Sequence, residues 1–173
     1  MARRAAMPAT REDLMAALAR LGIATATIDH APVFTVEEAQ SLRGTVPGAH
    51  TKNLFLKDKK DRLFLVVAPE DAELDLKQLH HRLGATGRFS FGKPELLMET
   101  LGVTPGSVTA FAPINDTAGR VTVVLDASLA AAETVNCHPL VNTATTTIRA
   151  ADLLAFLRST GHEPLVVPLT GEL

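Results

Sequence analysis

Two short stretches of this 173-residue chain put polar, reactive side chains at the ends of apolar runs. In Gly48-Ala-His-Thr-Lys-Asn-Leu-Phe-Leu56, Lys52 and Asn53 stand at the head of a strand-like segment. Such a lysine either snorkels to solvent from a strand terminus or offers a fixed cation to an anionic group. In Val135-Asn-Cys-His-Pro-Leu-Val-Asn142, Asn136 and His138 flank a cysteine before a proline turn. A histidine there can order a water molecule or carry a proton. Cys137 and His138 do not form a nucleophile–base pair, because successive strand side chains point to opposite faces. Cys137 reads as a small core residue. His80-His81 is not a metal pair, since neighbours on a helix point about 100° apart and no carboxylate is spaced to complete a site. The chain has no phosphate-binding Gly-rich loop, no H-E-x-x-H and no G-x-S-x-G. No metal ligand set is expected.

Composition narrows the classes further. Hydrophobic residues make up 46% of the chain and charged residues 21%, enough for one domain with a sizeable core and too apolar for disorder. No apolar run reaches the roughly 18 residues a membrane span requires. Met1-Ala-Arg-Arg lacks an apolar segment after its arginines, so residues 1–9 read as a flexible tail rather than a secretory signal. A single cysteine excludes an internal disulfide and is consistent with a cytoplasmic location. Seven Phe with no Trp or Tyr leave few platforms for stacking bases. The net charge is −2, yet residues 50–93 carry nine Lys/Arg against six acids. A polyanion could dock on that segment, through Lys57, Lys59, Lys60, Lys77, Arg82 and Arg88, while the remainder repels it. The alternative is an ordinary solvated face.

The elements that must position these residues follow from periodicity. Thr10 caps a helix with a Leu14, Leu18, Leu21 stripe that Gly22 stops. Ile23–Ile28 alternates as a strand, and Thr35-Val-Glu-Glu38 has the capping-box pattern of a second helix. Lys52–Lys57 and Leu63–Ala68 form a hairpin around Asp58-Lys-Lys-Asp61. Asp75–Leu83 and the segment from Pro94 to Leu101 are helical. Ser107–Phe111, Arg120–Leu125, Thr134–His138 and Thr145–Ile148 are strand candidates. A last helix carries Leu153, Leu154 and Leu157, and Leu165–Val167 reads as an edge strand. Without regular βα alternation, this is one α+β domain, residues 10–173, with a mainly antiparallel sheet flanked by helices.

Several blocks in this order and spacing resemble the YbaK/prolyl-tRNA-synthetase-associated editing family. They are Thr51-Lys-Asn-Leu-Phe-Leu-Lys-Asp58, Asp75-Leu-Lys-Gln-Leu-His-His81, Leu101-Gly-Val-Thr-Pro-Gly-Ser-Val108, Ile114-Asn-Asp116 and Asn136-Cys-His-Pro-Leu140. The likeness spans about Arg11 to Val167 and is greatest to the free-standing deacylases that hydrolyse alanine mischarged onto proline tRNA. It implies a barrel-like sheet with a metal-free, cofactor-free esterase site at its mouth. The implied partner is the acceptor end of tRNA(Pro) carrying alanine, with transient contact to prolyl-tRNA synthetase or an elongation factor.

By this resemblance Lys52 matches the family's signature lysine, which holds the tRNA 3′ end. Asn53 lies where alanine-specific members are most alike, and His138 falls on the pocket histidine. Asp126 resembles an acidic position near the pocket, and Asn136 and Ser107 lie beside the matched residues. Gly106-Ser-Val-Thr-Ala110 matches a G-x-x-x-P loop, except that Ala110 replaces the proline. An aminoacyl ester is activated, so water and positioning suffice without a covalent nucleophile. The Gly106 loop could stabilise the oxyanion, an effect worth roughly 2.7–4 kcal/mol per donor, and Lys52 could fix a phosphate or ribose oxygen. Rejection of proline must be steric, because a missing methylene supplies only about 1–3 kcal/mol. Deacylation of cysteinyl or seryl esters is the alternative within this class. A non-catalytic nucleic-acid-binding module is the alternative outside it, with low net charge and few aromatics against it.

Overall fold

A computed structural model describes residues 7–32 and 36–171. Helix α1 (Arg11–Arg20) opens with a capping box. The Thr10 hydroxyl accepts from Asp13 N at 3.1 Å, and the Asp13 carboxylate accepts from Thr10 N at 2.9 Å. Leu14 and Leu18 are buried, but Leu21, expected on the same stripe, is 46% exposed, because it lies beyond the last turn as the C-cap. The chain before α1 is anchored further back than the expected tail allows: Ala9 N donates to Asn115 Oδ1 at 2.7 Å. Helix α2 (Val36–Thr45) follows β1 (Thr25–Asp29); Thr35, its expected cap, lies outside the described residues.

The hairpin of β2 (Ala49–Lys57) and β3 (Leu63–Pro69) is the central unit. Its turn is built on a buried carboxylate rather than being merely solvated. Asp58 accepts from the backbone N–H groups of Lys60, Arg62 and Thr86 and from Arg62 Nε, at 2.8–3.1 Å. Burial pushes the Asp58 pKa up, but these hydrogen bonds outweigh it and hold the group at about 2.

The remaining strands are β4 (Ser90–Phe91), β5 (Val121–Asp126), β6 (Thr134–Cys137), β7 (Ala144–Arg149) and β8 (Leu165–Val167). The sheet runs β1-β7-β6-β2-β3-β5-β8, with β4 on β2. It is mixed. The β1–β7, β6–β7, β2–β3 and β2–β4 pairs are antiparallel, whereas β2–β6, β3–β5 and β5–β8 are parallel. The parallel pairs arise because helices occupy the crossovers: α4 (Pro94–Leu101) lies between β3 and β5, and α6 (Ala150–Ser159) between β7 and β8.

Two expectations shift. Ser107–Phe111 is not a strand. It lies between two 3-10 turns, Pro105–Ser107 and Ala112–Asn115, where prolines punctuate the chain and burial of successive residues masks any alternation. Helix α3 spans only Leu79–Leu83, because Asp75 Oδ1 accepts from Lys77 N at 3.1 Å and sets a turn before it.

Strand alternation gives the sheet two faces. One bears Phe55, Leu65, Val67, Val123, Leu125, Val135, Cys137 and Ile148 and packs on α1, α4 and α6. The other bears Leu56, Phe64, Val66, Ala68 and Val124 under α3. Where α3 does not reach, across β2, β6 and β7, this second face carries His50, Asn136, Thr145 and Thr147 instead of hydrocarbon.

Candidate active site

Lys52 lies on the second face, between His50 and Leu54, opposite Ala68 of β3. Its ammonium donates to the Ala72 carbonyl, in the segment that follows β3. The parallel register His50↔Asn136, carried two residues on, sets His138 beside Lys52 just past the end of β6. The β2–β6 pairing is tied down by Thr51, whose hydroxyl donates to Asn136 O at 2.7 Å.

His138 is held from three sides. Its carbonyl accepts from Thr109 Oγ1 at 2.6 Å and from Leu140 N at 3.0 Å. Leu140 keeps a left-handed φ of 68° to make that turn, a conformation that costs a β-carbon-bearing residue about 1–3 kcal/mol. The ring Nδ1 lies 3.3 Å from the Ala144 carbonyl. A carbonyl only accepts, so Nδ1 carries the proton and the neutral ring presents a lone pair at Nε2. Burial lowers the His138 pKa, and nearby His30 lowers it further, against smaller upward pulls from the Ala144 carbonyl and Glu70. His30 completes this edge, with Nε2 2.8 Å from the Thr145 hydroxyl.

The Gly106 loop meets the same turn, on the far side of His138. Gly106 is exposed, and a Cβ placed there would meet only Asn142 Nδ2, at 3.4 Å. The loop and β2–β6 thus converge on the 138–142 segment.

The model of a family described as the aminoacyl-tRNA editing domain matches residues 30–156, which includes every element of this site. The chain belongs to that family. It is 45% identical over 159 residues to the prolyl-tRNA synthetase associated domain-containing protein 1 of Danio rerio, covering 91% of this chain and 86% of the relative. It is 35% identical over 153 residues to the prolyl-tRNA editing protein ProX of Acetoanaerobium sticklandii, covering 88% and 93%. A crystal structure assigned to a candidate trans-editing enzyme for prolyl tRNA synthetase superposes with a TM-score of 0.70 at 22% identity, over 94% of this chain and 97% of that one. That last likeness is one of fold.

In this editing domain the other residues singled out by sequence fall in different places. Asn53 follows Lys52 but points to the first face, where its Oδ1 is buried without a partner among the described residues. Asn136 is a structural tie rather than an open contact. It is 3% exposed, donates to the Pro47 and Ala49 carbonyls at 3.1 and 3.3 Å, and accepts from Thr147 Oγ1 at 2.5 Å. Asp126 caps α5 (Ala127–Ala131) by accepting from Ser128 N at 3.0 Å, and its other oxygen accepts from Leu169 N at 2.8 Å. Ala110 is fully buried in the first core and Ser107 is buried as well, so neither side chain lines an open surface.

Among the basic residues, Lys59, Lys60, Lys77 and Arg88 are exposed. Lys57 lies 3.5 Å from Asp61, and Lys59 packs its methylenes along Gly87. Arg82 is committed to the chain itself, donating to the Pro168 carbonyl at 3.0 Å and to the Gly171 carbonyl. Among the described residues no group of three or more His, Cys, Asp or Glu is placed to hold a metal ion, and no helix is long and apolar enough to cross a membrane.

Sequence reasoning missed His30, His50 and Glu70. His50 was within reach, since it lies two residues before Lys52 and must share its face. Nothing local marks His30 or Glu70; only the pairing of distant strands brings them in.

Proposed function

We propose that this chain is a trans-editing deacylase that hydrolyses the ester of alanine mischarged onto tRNA(Pro), by direct attack of water. The observation that carries the reading is the pairing of Lys52 with a neutral His138 on one face, within a chain of the aminoacyl-tRNA editing family. Lys52 leaves the Ala72 carbonyl to bind a phosphate or ribose oxygen of the tRNA 3′ end, and so fixes the ester over His138. His138 Nε2 takes a proton from water as the oxygen adds to the ester carbonyl carbon. The tetrahedral intermediate collapses with cleavage of the bond to the ribose oxygen, which receives the proton. Alanine and uncharged tRNA leave. The Gly106 loop, with Asn142 beside it, supplies hydrogen-bond donors to the oxyanion. Proline is excluded by size.

A deacylation panel tests this. Alanyl-, cysteinyl-, seryl- and prolyl-tRNA(Pro) are incubated with catalytic amounts of protein, and the amino acid released is followed. Release of alanine with prolyl-tRNA spared is the expected result. Faster release of cysteine or serine reassigns the pocket within the class. Tight tRNA binding without release of any amino acid means a binding module.

A further inference from the structure

The deacylase reading leaves one property of the substrate unmatched. Every aminoacyl ester carries an α-ammonium group next to the bond that breaks, and neither Lys52 nor His138 can receive it. The face that bears Lys52 has a carboxylate at the right level. Glu70 directly follows β3, and its backbone N–H donates to His50 O at 2.9 Å, which extends the β2–β3 pairing by one step. Glu70 is therefore opposite His50 and diagonal to Lys52, a separation of about 7–8 Å between such neighbours. Its charge also acts on His138. With His50, Gly48, Pro69 and Ser128 it borders a cavity of about 310 Å³, which opens from the Lys52 end of the strands.

We propose that Glu70 is the specificity residue that receives the α-ammonium of the aminoacyl group, so that the site takes esters of free amino acids and discriminates against their uncharged analogues. This rests on the deacylase reading and deepens it. With the ammonium at Glu70 and the tRNA end at Lys52, the ester carbonyl lies between a carboxylate and a cation, in the reach of His138. The two charges then orient the substrate in one sense only: reversing it would set ammonium against ammonium and phosphate against carboxylate, both repulsive.

The test compares alanyl-tRNA(Pro) with lactyl-tRNA(Pro), in which a hydroxyl replaces the ammonium at nearly the same size. Each enzymatic rate is divided by the spontaneous hydrolysis rate of the same ester, which removes their intrinsic difference in reactivity. The wild type is expected to favour the alanyl ester by roughly tenfold or more, the range of a charge-assisted hydrogen bond. Glu70→Gln should lose that preference, with alanyl turnover falling about tenfold and lactyl turnover staying within twofold. Glu70→Asp should restore part of it. Equal normalised rates for the two esters with wild-type protein overturn the inference, whether or not any variant folds. So does a Glu70→Gln protein that slows both esters alike, because that marks a structural role. A wild type inert on both esters overturns the deacylase reading, and this inference falls with it.

Discussion

Lys52 and Asn53 are adjacent in sequence and face opposite sides of the sheet. Lys52 reaches the Ala72 carbonyl on the second face, while Asn53 turns its amide toward the first, where Oδ1 has no partner among the described residues. The two cannot act on the same atom. Lys52 belongs with His138 and Glu70. Asn53 is positioned to act through the backbone that both share, and the fit of its amide bears on how β2 presents Lys52.

Lys52→Ala should reduce deacylation by at least a hundredfold and leave the fold intact. The side chain is half-buried and its ammonium bonds a backbone carbonyl, so its loss opens no core cavity. Thermal melting within a few degrees of wild type, together with the lost turnover, is the expected pair of results. A folded variant with near wild-type turnover removes Lys52 from the site.

Deacylation should follow the neutral form of His138. Burial depresses its pKa, so kcat/KM should rise with pH and level off below the usual histidine value near 6.5. The inflection should vanish in His138→Asn. A pH–rate profile of both proteins, corrected for spontaneous ester hydrolysis, checks this.

Gly106→Ala probes ligand approach without disturbing the fold. The added methyl would make only an ordinary contact with Asn142, so stability should change by less than about 1 kcal/mol. If the backbone of this loop lies against the ester, kcat should fall by tenfold or more. Unchanged kcat would move the oxyanion donors elsewhere.

Cys137→Ser should retain most activity. The thiol is buried in the first core, and burial drives its pKa up to about 12, which suppresses the thiolate. The variant should instead lose stability, through a polar group placed in an apolar site. An acyl-enzyme trapped on Cys137 would contradict direct attack by water.

Neutralising Lys57, Lys59 and Lys60 together should raise KM more than it lowers kcat. The turn that carries them lies five residues along β2 from Lys52, about 17 Å away, too far to touch the ester. Every phosphate interaction removed should flatten the log–log salt dependence by about 0.7–0.9. An unchanged KM and slope would shift the tRNA path to Lys77 and Arg88, with Arg82 already occupied by the Pro168 carbonyl.

Much of the fold could be read locally. The Thr10 cap, the β2–β3 hairpin and the apolar stripes of α4 and α6 are encoded by neighbours in sequence. The failures were tertiary. Ser107–Phe111 looks like a strand because its residues are apolar and small, but it is buried by packing rather than by pairing. The parallel β2–β6 contact has no sequence signature, since parallel pairing depends on crossovers rather than turns. Lys52 and His138 were legible as blocks of a known pattern. Glu70 was not, because its place in the site comes from one hydrogen bond to His50. Asn136 and Asp126 look like site residues in sequence because polar side chains amid apolar runs stand out. The structure commits both to its own backbone.

The β2–β6 pairing also has a temporal meaning. Thr51 and Asn136 are 85 residues apart, so Lys52 exists as an ordered strand residue long before His138 is available to join it. During synthesis the early hairpin has no partner on its β6 side until the chain has emerged through β7. It must wait with an exposed polar face and an open edge, the state in which mixed sheets fold slowly and associate wrongly. A nascent or C-terminally truncated chain would therefore carry the lysine and lack the histidine. Competence for chemistry should switch on as one late event, with the docking of β6.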